Sequence, residues 1–323
     1  MSRPAAIVAI LLAALAAPNA VRSQDAAVRV GVFGPDEEPR FSETVSGLRR
    51  GLEEQGYGAE RVRVLEGRAR RGNEAAARAA ARALADQGLG ALLVLGSALV
   101  RPARESAPQV PIVLITPGDP VAAGLAASLA RPGGNFTAMS FEYPELSAKR
   151  LELLRELQPR LRRVLILYDS RDASPRQGAA AARAAAGALG ITLVERTVRN
   201  AEEIARGLKD LEGIEALLGI PGGVTSGHYE EMVQAANAKR IPSAFPTRTH
   251  GTGDAVLTYG ASDVDLARQA ARLLDKILKG TPAGELPIER PSRLALVINL
   301  RTARALGLSV PPALLVRADA VIE

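Results

Sequence analysis

Two histidines, His228 and His250, and no cysteine are the scarce chemistry-bearing residues of this 323-residue chain. A thiolate nucleophile, a disulfide and a cysteine-built zinc site are therefore excluded. No Gly-x-Ser-x-Gly elbow is present to expose a nucleophilic serine. No Gly-Lys pair is present, so there is no phosphate-binding P-loop, and Gly31 and Gly34 lack the spacing of a dinucleotide fingerprint. No His or carboxylate cluster has zinc spacing. The expectation is a protein with no catalytic residues, no metal and no cofactor. What remains is a set of polar and flexible residues that each follow a short apolar run, the place where a small molecule can be held without being changed. These are Gly96 and Ser97, Thr116 and Asp119, Asp169 and Ser170, Gly222 with Gly223, Phe245 and Tyr259. Gly96 and Ser97 precede helix-like sequence, and backbone N–H groups at a helix start attract carboxylates. Asp119 and Asp169 could pair with a ligand amine through charge-assisted hydrogen bonds; each could equally cap a loop or helix. Gly222 and Gly223 allow close backbone approach. Phe245 and Tyr259 could stack on a ring or belong to the core. Arg40, in the first strand-end loop, fits a surface arginine better than a carboxylate clamp.

The elements that must position these residues alternate. Apolar or β-rich runs at Val28–Phe33, Ala91–Leu95, Ile112–Thr116, Val164–Tyr168 and Ala216–Ile220 read as strands, each ended by Gly, Pro, Asp or Ser. Between them, helical spacing covers Ser42–Gln55, Asn73–Gln87, Glu145–Leu157, Ala179–Leu189, Glu202–Leu211 and His228–Lys239. Further strands are expected at Arg61–Leu65, Ile191–Val194, Pro242–Phe245 and Val256–Tyr259. Ser262 is placed to cap a helix carrying Leu266, Ala270, Leu273 and Ile277 on one face. The β-α order is laid down twice. That predicts an α/β protein with two Rossmann-like lobes and parallel sheets, helices on both faces. The length agrees, since a single core rarely grows much past ~250–300 residues. In such sheets ligands sit outside the carboxyl ends of the strands, where the candidate residues lie.

The N-terminus reads as an export leader. Arg3 precedes the apolar run Ala5–Ala17, Pro18-Asn19 breaks it, and small residues at Ala20 and Ser23 offer cleavage sites. The run is short of the ~20 apolar residues a membrane span needs. A signal peptide over residues 1–23, and a periplasmic mature protein, are expected. The formal charge of +6 is scattered among acids. The arginine-rich stretch Arg61–Arg82 contains no aromatic residue, so it reads as a solvated helix face and no nucleic-acid partner is expected.

Several segments together resemble a known family. They are Gly118-Asp119-Pro120-Val121, Gly124–Thr137 (GLAASLARPGGNFT), Lys149–Leu154 (KRLELL), Leu286–Pro291 (LPIERP), Leu296–Leu300 (LVINL), Ala303–Leu308 (ARALGL) and the terminal Leu315–Glu323. Over about Val28 to Glu323 the chain is similar to the TrpX-like substrate-binding proteins of ABC transporters, which resemble type I periplasmic binding proteins. The resemblance implies a monomeric receptor that closes on a small molecule, such as an amino acid or related compound, and delivers it to a membrane ABC permease. A sensory module serving a receptor kinase, or an exported α/β enzyme, are the alternatives. It also implies a three-strand hinge, with crossovers near Asn135–Ser140, Gly251–Val256 and Gly284–Pro287. Lobe 1 would then span 28–138 plus 256–284, and lobe 2 139–255 plus 285–323. Where many members carry Asn-Pro after the first strand of lobe 2, this chain has Asp169-Ser170.

Overall fold

The computed structural model describes residues 27–36, 41–70, 73–142, 144–246 and 253–323. The leader expected over 1–23, and Arg40 and His250, lie outside the described residues.

The first sheet has five parallel strands in the order β2-β1-β3-β4-β5. They are β1 (Val28–Pro35), β2 (Val62–Ala69), β3 (Ala91–Leu95), β4 (Ile112–Pro117) and β5 (Phe136–Glu142). Helices α1 (Phe41–Glu54), α2 (Glu74–Ala85) and α3 (Ser97–Ser106) connect them. All five residues of β3, Ala-Leu-Leu-Val-Leu, are buried. That is the signature of a parallel strand covered on both faces. Because side chains alternate along a strand, Leu93, Val113 and Ile115 join the core with Val45, Leu48 and Leu52 of α1. Leu92, Val94, Ile112 and Leu114 join the opposite core with Ala77, Ala81 and Val100 of α2 and α3.

The second sheet has seven strands in the order β12-β11-β10-β9-β8-β6-β7, with β10 and β11 antiparallel and every other pair parallel. It is built from α4 (Pro144–Leu157), β6 (Arg163–Tyr168), α5 (Ala173–Leu189), β7 (Thr192–Thr197), α6 (Ala201–Gly207), β8 (Ala216–Gly219), α7 (Tyr229–Ala238) and β9 (Ser243–Phe245). After β10 (Leu257–Gly260) the chain runs through α8 (Asp263–Leu278) and then adds β11 (Ala295–Asn299), α9 (Leu300–Ala305), α10 (Pro312–Arg317) and β12 (Ala320–Ile322). Val164 and Ile166 of β6 face α4 and α5, and Leu165 and Leu167 face α6 and α7.

The chain passes three times between the lobes, and each passage differs from expectation. The first crossover, expected at Asn135–Ser140, falls inside β5, which stays paired with β4 through Glu142. The second, expected before Val256, follows β10, because β10 pairs with β9 and β11 in the second sheet. The third, expected at Gly284–Pro287, follows Glu289. The Thr137 hydroxyl donates to Leu286 O at 3.0 Å, and Glu289 exchanges backbone hydrogen bonds with Ala138 and Ser140 on the edge of β5. Strand pairing fixes these boundaries, and local periodicity does not encode it.

Helix α8 returns to the first lobe and lies across α1. Its Leu266, Ala270, Leu273 and Leu274 share a core with Val45, Leu48 and Leu52. The helices approach closely because α1 has Gly47 and Gly51 one turn apart. A Cβ at Gly47 would lie 2.4 Å from Val264 O, and one at Gly51 would lie 2.6 Å from Ala271 Cβ. Arg268 Nε and Glu54 Oε2 pair at 2.7 Å on the exposed rim of this contact. Ser262 caps α8 as expected, its hydroxyl accepting from Asp265 N at 3.0 Å.

Candidate functional site

The carboxyl ends of both sheets open onto one cleft between the lobes. It holds about 920 Å³ of empty space, the part open to solvent included. The first lobe contributes a mainly apolar wall from its strand ends: Pro35, Leu95 with Gly96, Ile115 with Pro117, and Phe141. Thr44 of α1 and Asp263 at the start of α8, both buried, complete it. The second lobe contributes Asp172 and Ser174 at the start of α5, the Pro221-Gly222-Gly223 turn after β8, Ser226, Tyr229 of α7 and Pro246 after β9. Among the described lining residues the charged ones are two carboxylates, Asp172 and Asp263, with no Lys, Arg or His.

Each wall follows from local sequence. Gly96 ends β3 with φ 87° and serves as N-cap of α3 without a side-chain cap hydrogen bond. The first N–H groups of α3 therefore lack a side-chain acceptor from the cap residue, the arrangement that favours an anionic ligand group. Ser97 is the first residue of α3. Helix α5 begins at Ala173, six residues before the sequence periodicity becomes clear. Asp172 caps it, Oδ1 accepting from Ser174 N at 3.1 Å, and Pro175 sits in the first turn, where a proline costs the helix no hydrogen bond. Tyr229 is buried and stands edge-on to Phe245, ring centroids 4.8 Å apart.

Of the residues expected at the site, the cleft wall includes Gly96, Gly222 and Gly223. Thr116 and Asp119 line a smaller hollow of about 340 Å³ between the loop after β4 and the start of α5, which shares Pro117, Asp172 and Ser174 with the cleft. There Asp119 Oδ1 accepts from Val121 N at 2.8 Å and Thr116 donates to Pro117 O at 3.1 Å. Asp169, Ser170, Phe245 and Tyr259 stand elsewhere, and Ser97 opens α3 beside Gly96. The Asp169 carboxylate is gripped by Arg171, through Nε to Oδ1 at 2.9 Å and Nη2 to Oδ2 at 2.7 Å, with Arg171 N also on Oδ1. Hydrogen bonding from Arg171 holds this carboxyl below the usual carboxylate range. Ser170 is exposed, and its carbonyl accepts from Arg176. Phe245 is fully buried, its ring against Gly219 and Tyr229. Tyr259 is half-buried beside the second lobe's core, and its carbonyl accepts from Arg150 Nε at 2.8 Å. Sequence reasoning missed Asp172, Asp263, Thr44 and Tyr229. Only Asp172 carried a local signal, an Asp followed by Ala-Ser-Pro, the pattern of a capped helix start with an early proline.

Two open α/β lobes, joined by three crossovers, that face each other across a strand-end cleft make up the type I periplasmic binding protein fold. The chain belongs to the ABC transporter substrate binding protein family, whose sequence profile matches residues 29–322. Among solved structures it is similar to a conserved domain protein from Vibrio cholerae, at 26% identity, with a TM-score of 0.81 over 92% of this chain and all of that one. It shares the fold of an ABC domain from Streptococcus pneumoniae in complex with L-Trp, at 22% identity and a TM-score of 0.79 over 92% of this chain and 100% of that one. A tyrosine-binding protein of Clostridioides difficile is 22% identical over 281 residues, 86% of this chain and 81% of that protein. Among the described residues no helix is long and apolar enough to cross a membrane, and no group of three or more His, Cys, Asp or Glu is placed to hold a metal ion.

Proposed function

We propose that this chain is the periplasmic solute-binding component of an ABC importer and that its solute is an amino acid with an apolar side chain. The observation that carries the reading is the cleft wall: apolar side chains from both lobes, two carboxylates and, among the described lining residues, no cation. An apolar side chain finds its surroundings in Leu95, Ile115 and Phe141. The α-carboxylate is suited to the N–H groups at the start of α3, next to Gly96. The α-ammonium is suited to Asp172, a carboxylate of the cleft wall able to make a charge-assisted hydrogen bond; this is the role that sequence alone offered to Asp119 and Asp169. The relatives that bind tyrosine and carry L-Trp support the ligand class.

In this reading the lobes swing together over the solute by hinge motion at the three crossovers, and the closed form docks on a membrane permease as a monomer. The solute leaves unchanged, with no catalytic residue and no cofactor taking part. Residues 1–23 act as a cleaved export signal. The test is a thermal-shift screen of the mature chain against the amino acids, followed by calorimetry on those that raise the melting temperature. A ligand that binds only the folded form stabilises it by linkage, about 2.7 kcal/mol at a hundredfold excess over Kd. A screen in which sugars or nucleosides stabilise the protein and amino acids do not would overturn the ligand assignment. Mass spectrometry of the exported chain tests the leader: a mature N-terminus beginning at Met1 would remove it.

A further inference from the structure

The loop after β4 and the start of α5 belong to different lobes, yet they meet beside the cleft, where Gly118 lies against Ser174. Gly118 has φ +87°, and a Cβ placed there would lie 2.4 Å from Ser174 Oγ and 2.6 Å from Ser174 Cβ. Carbon atoms in contact prefer about 3.5–4.0 Å, so any side chain at 118 demands that the two residues part by about an ångström. Neither partner has local slack. The Gly118 carbonyl accepts from the buried Ser140 hydroxyl of β5 at 2.5 Å. Ser174 sits in the first turn of α5, between the Asp172 cap and Pro175, whose ring fixes the backbone φ. Pro175 in turn lies against the cleft turn, 3.1 Å from where a Gly222 Cβ would be. With both sides held, the separation must be taken up by the lobes themselves.

We infer that the missing side chain at Gly118 is what lets the two lobes close, so that Gly118 is a positioning residue for ligand capture although it does not line the cleft. The inference rests on the receptor reading above and goes beyond it by locating where closure is limited. Apparent affinity scales with the fraction of molecules in the binding-competent state. Holding the lobes apart at this point therefore weakens every ligand in proportion, without changing which ligand is preferred.

The experiment is a double-mutant cycle on the full mature chain, with L-tryptophan, L-tyrosine and L-leucine as probes, read by calorimetry. Gly118→Ala is expected to weaken the bound probes by about tenfold or more and by the same factor for each. Ser174→Gly removes both clashing atoms but is itself a cleft-wall substitution, so it sets the reference: adding Gly118→Ala to it is expected to cost much less affinity than Gly118→Ala costs wild type, giving a strong coupling between the two sites. Small-angle scattering on the probe-saturated proteins should find Gly118→Ala more extended than wild type, and the double variant compact again. A Gly118→Ala protein that binds like wild type, or effects that simply add, would overturn the inference. A second arm needs no ligand. The chain has no cysteine, so a Gly118→Cys, Ser174→Cys pair is its only thiol pair, and a lobe separation of about an ångström brings the two Cβ atoms to the ~3.5–4.5 Å of a disulfide. Rapid crosslinking under mild oxidant is expected; its absence overturns the approach of the lobes here. If no probe binds wild type while the crosslink forms, the amino-acid reading fails and the closure point stands.

Discussion

Replacing Asp172 separates its two duties, capping α5 and presenting charge to the cleft. Asn is as good an N-cap as Asp, so Asp172→Asn keeps the hydrogen bond to Ser174 N (3.1 Å) and should change stability by no more than about 0.5 kcal/mol. It removes the charge. A hydrogen bond to a charged group contributes about 1.5–3 kcal/mol net, and a factor of ten in affinity corresponds to about 1.4 kcal/mol. The variant should therefore bind an amino-acid ligand about 10- to 150-fold more weakly. Asp172→Ala should bind as weakly and also lose about 1 kcal/mol of stability with the cap. The assay pairs urea unfolding with calorimetry, using L-tryptophan and its des-amino analogue indole-3-propionate. Because the chain has no tryptophan of its own, indole fluorescence follows the ligand alone and gives an independent titration. The analogue should bind wild type weakly and be nearly indifferent to Asp172→Asn. Asp172→Asn with wild-type affinity for the amino acid, or with an equal loss for the des-amino analogue, refutes the assignment of the ammonium to this carboxylate.

Phe245 is placed as core, so Phe245→Ala should cost about 3–5 kcal/mol in urea unfolding, and Phe245→Leu less, with affinity falling as Tyr229 loses its ring partner; a large affinity loss at unchanged stability would return Phe245 to the ligand. Asp169→Asn should leave affinity intact and lower stability. Since the folded carboxyl is held below its unfolded value by Arg171, the difference from wild type should be fully present above the ordinary carboxylate range and vanish as pH falls through the depressed folded value, which acid titration of both proteins checks. Gly51→Ala should destabilise, although Ala favours helix by about 1 kcal/mol, because its methyl would meet Ala271 of α8 at 2.6 Å; a rise in the urea midpoint would mean that the helices can move apart.

The repeated β-α order was legible because buried parallel strands leave unbroken apolar runs. Ala91–Leu95 and Val164–Tyr168 were read to their last residue, and Ser262 was placed correctly as a cap. The strand β5 was not seen, since Phe-Thr-Ala-Met-Ser-Phe-Glu mixes polar and apolar residues on a strand whose pairing to β4 and Glu289 is long-range. The same reason displaced all three crossovers. At the site, Gly96, Gly222 and Gly223 stand in the cleft wall, because a glycine that ends a strand lies where the sheet edge opens. Asp169 follows its strand directly, but Arg171 two residues on is close enough to hold its carboxylate, and it is Asp172 that stands in the cleft wall. Buried Thr44 and Asp263 come from helices of the first lobe, which strand-end reasoning does not inspect.

The return of α8 to the first lobe has a consequence for how the chain is made. The sheet of lobe 1 is complete at Glu142, but the helix that covers Val45, Leu48 and Leu52 ends only at Leu278, 136 residues later. As the chain emerges from its N-terminus, that apolar stripe of α1 is without its cover until those residues have followed. During that interval it is a surface a chaperone or a second nascent chain can occupy. A fragment cut between the lobes at the first crossover would keep that exposure permanently.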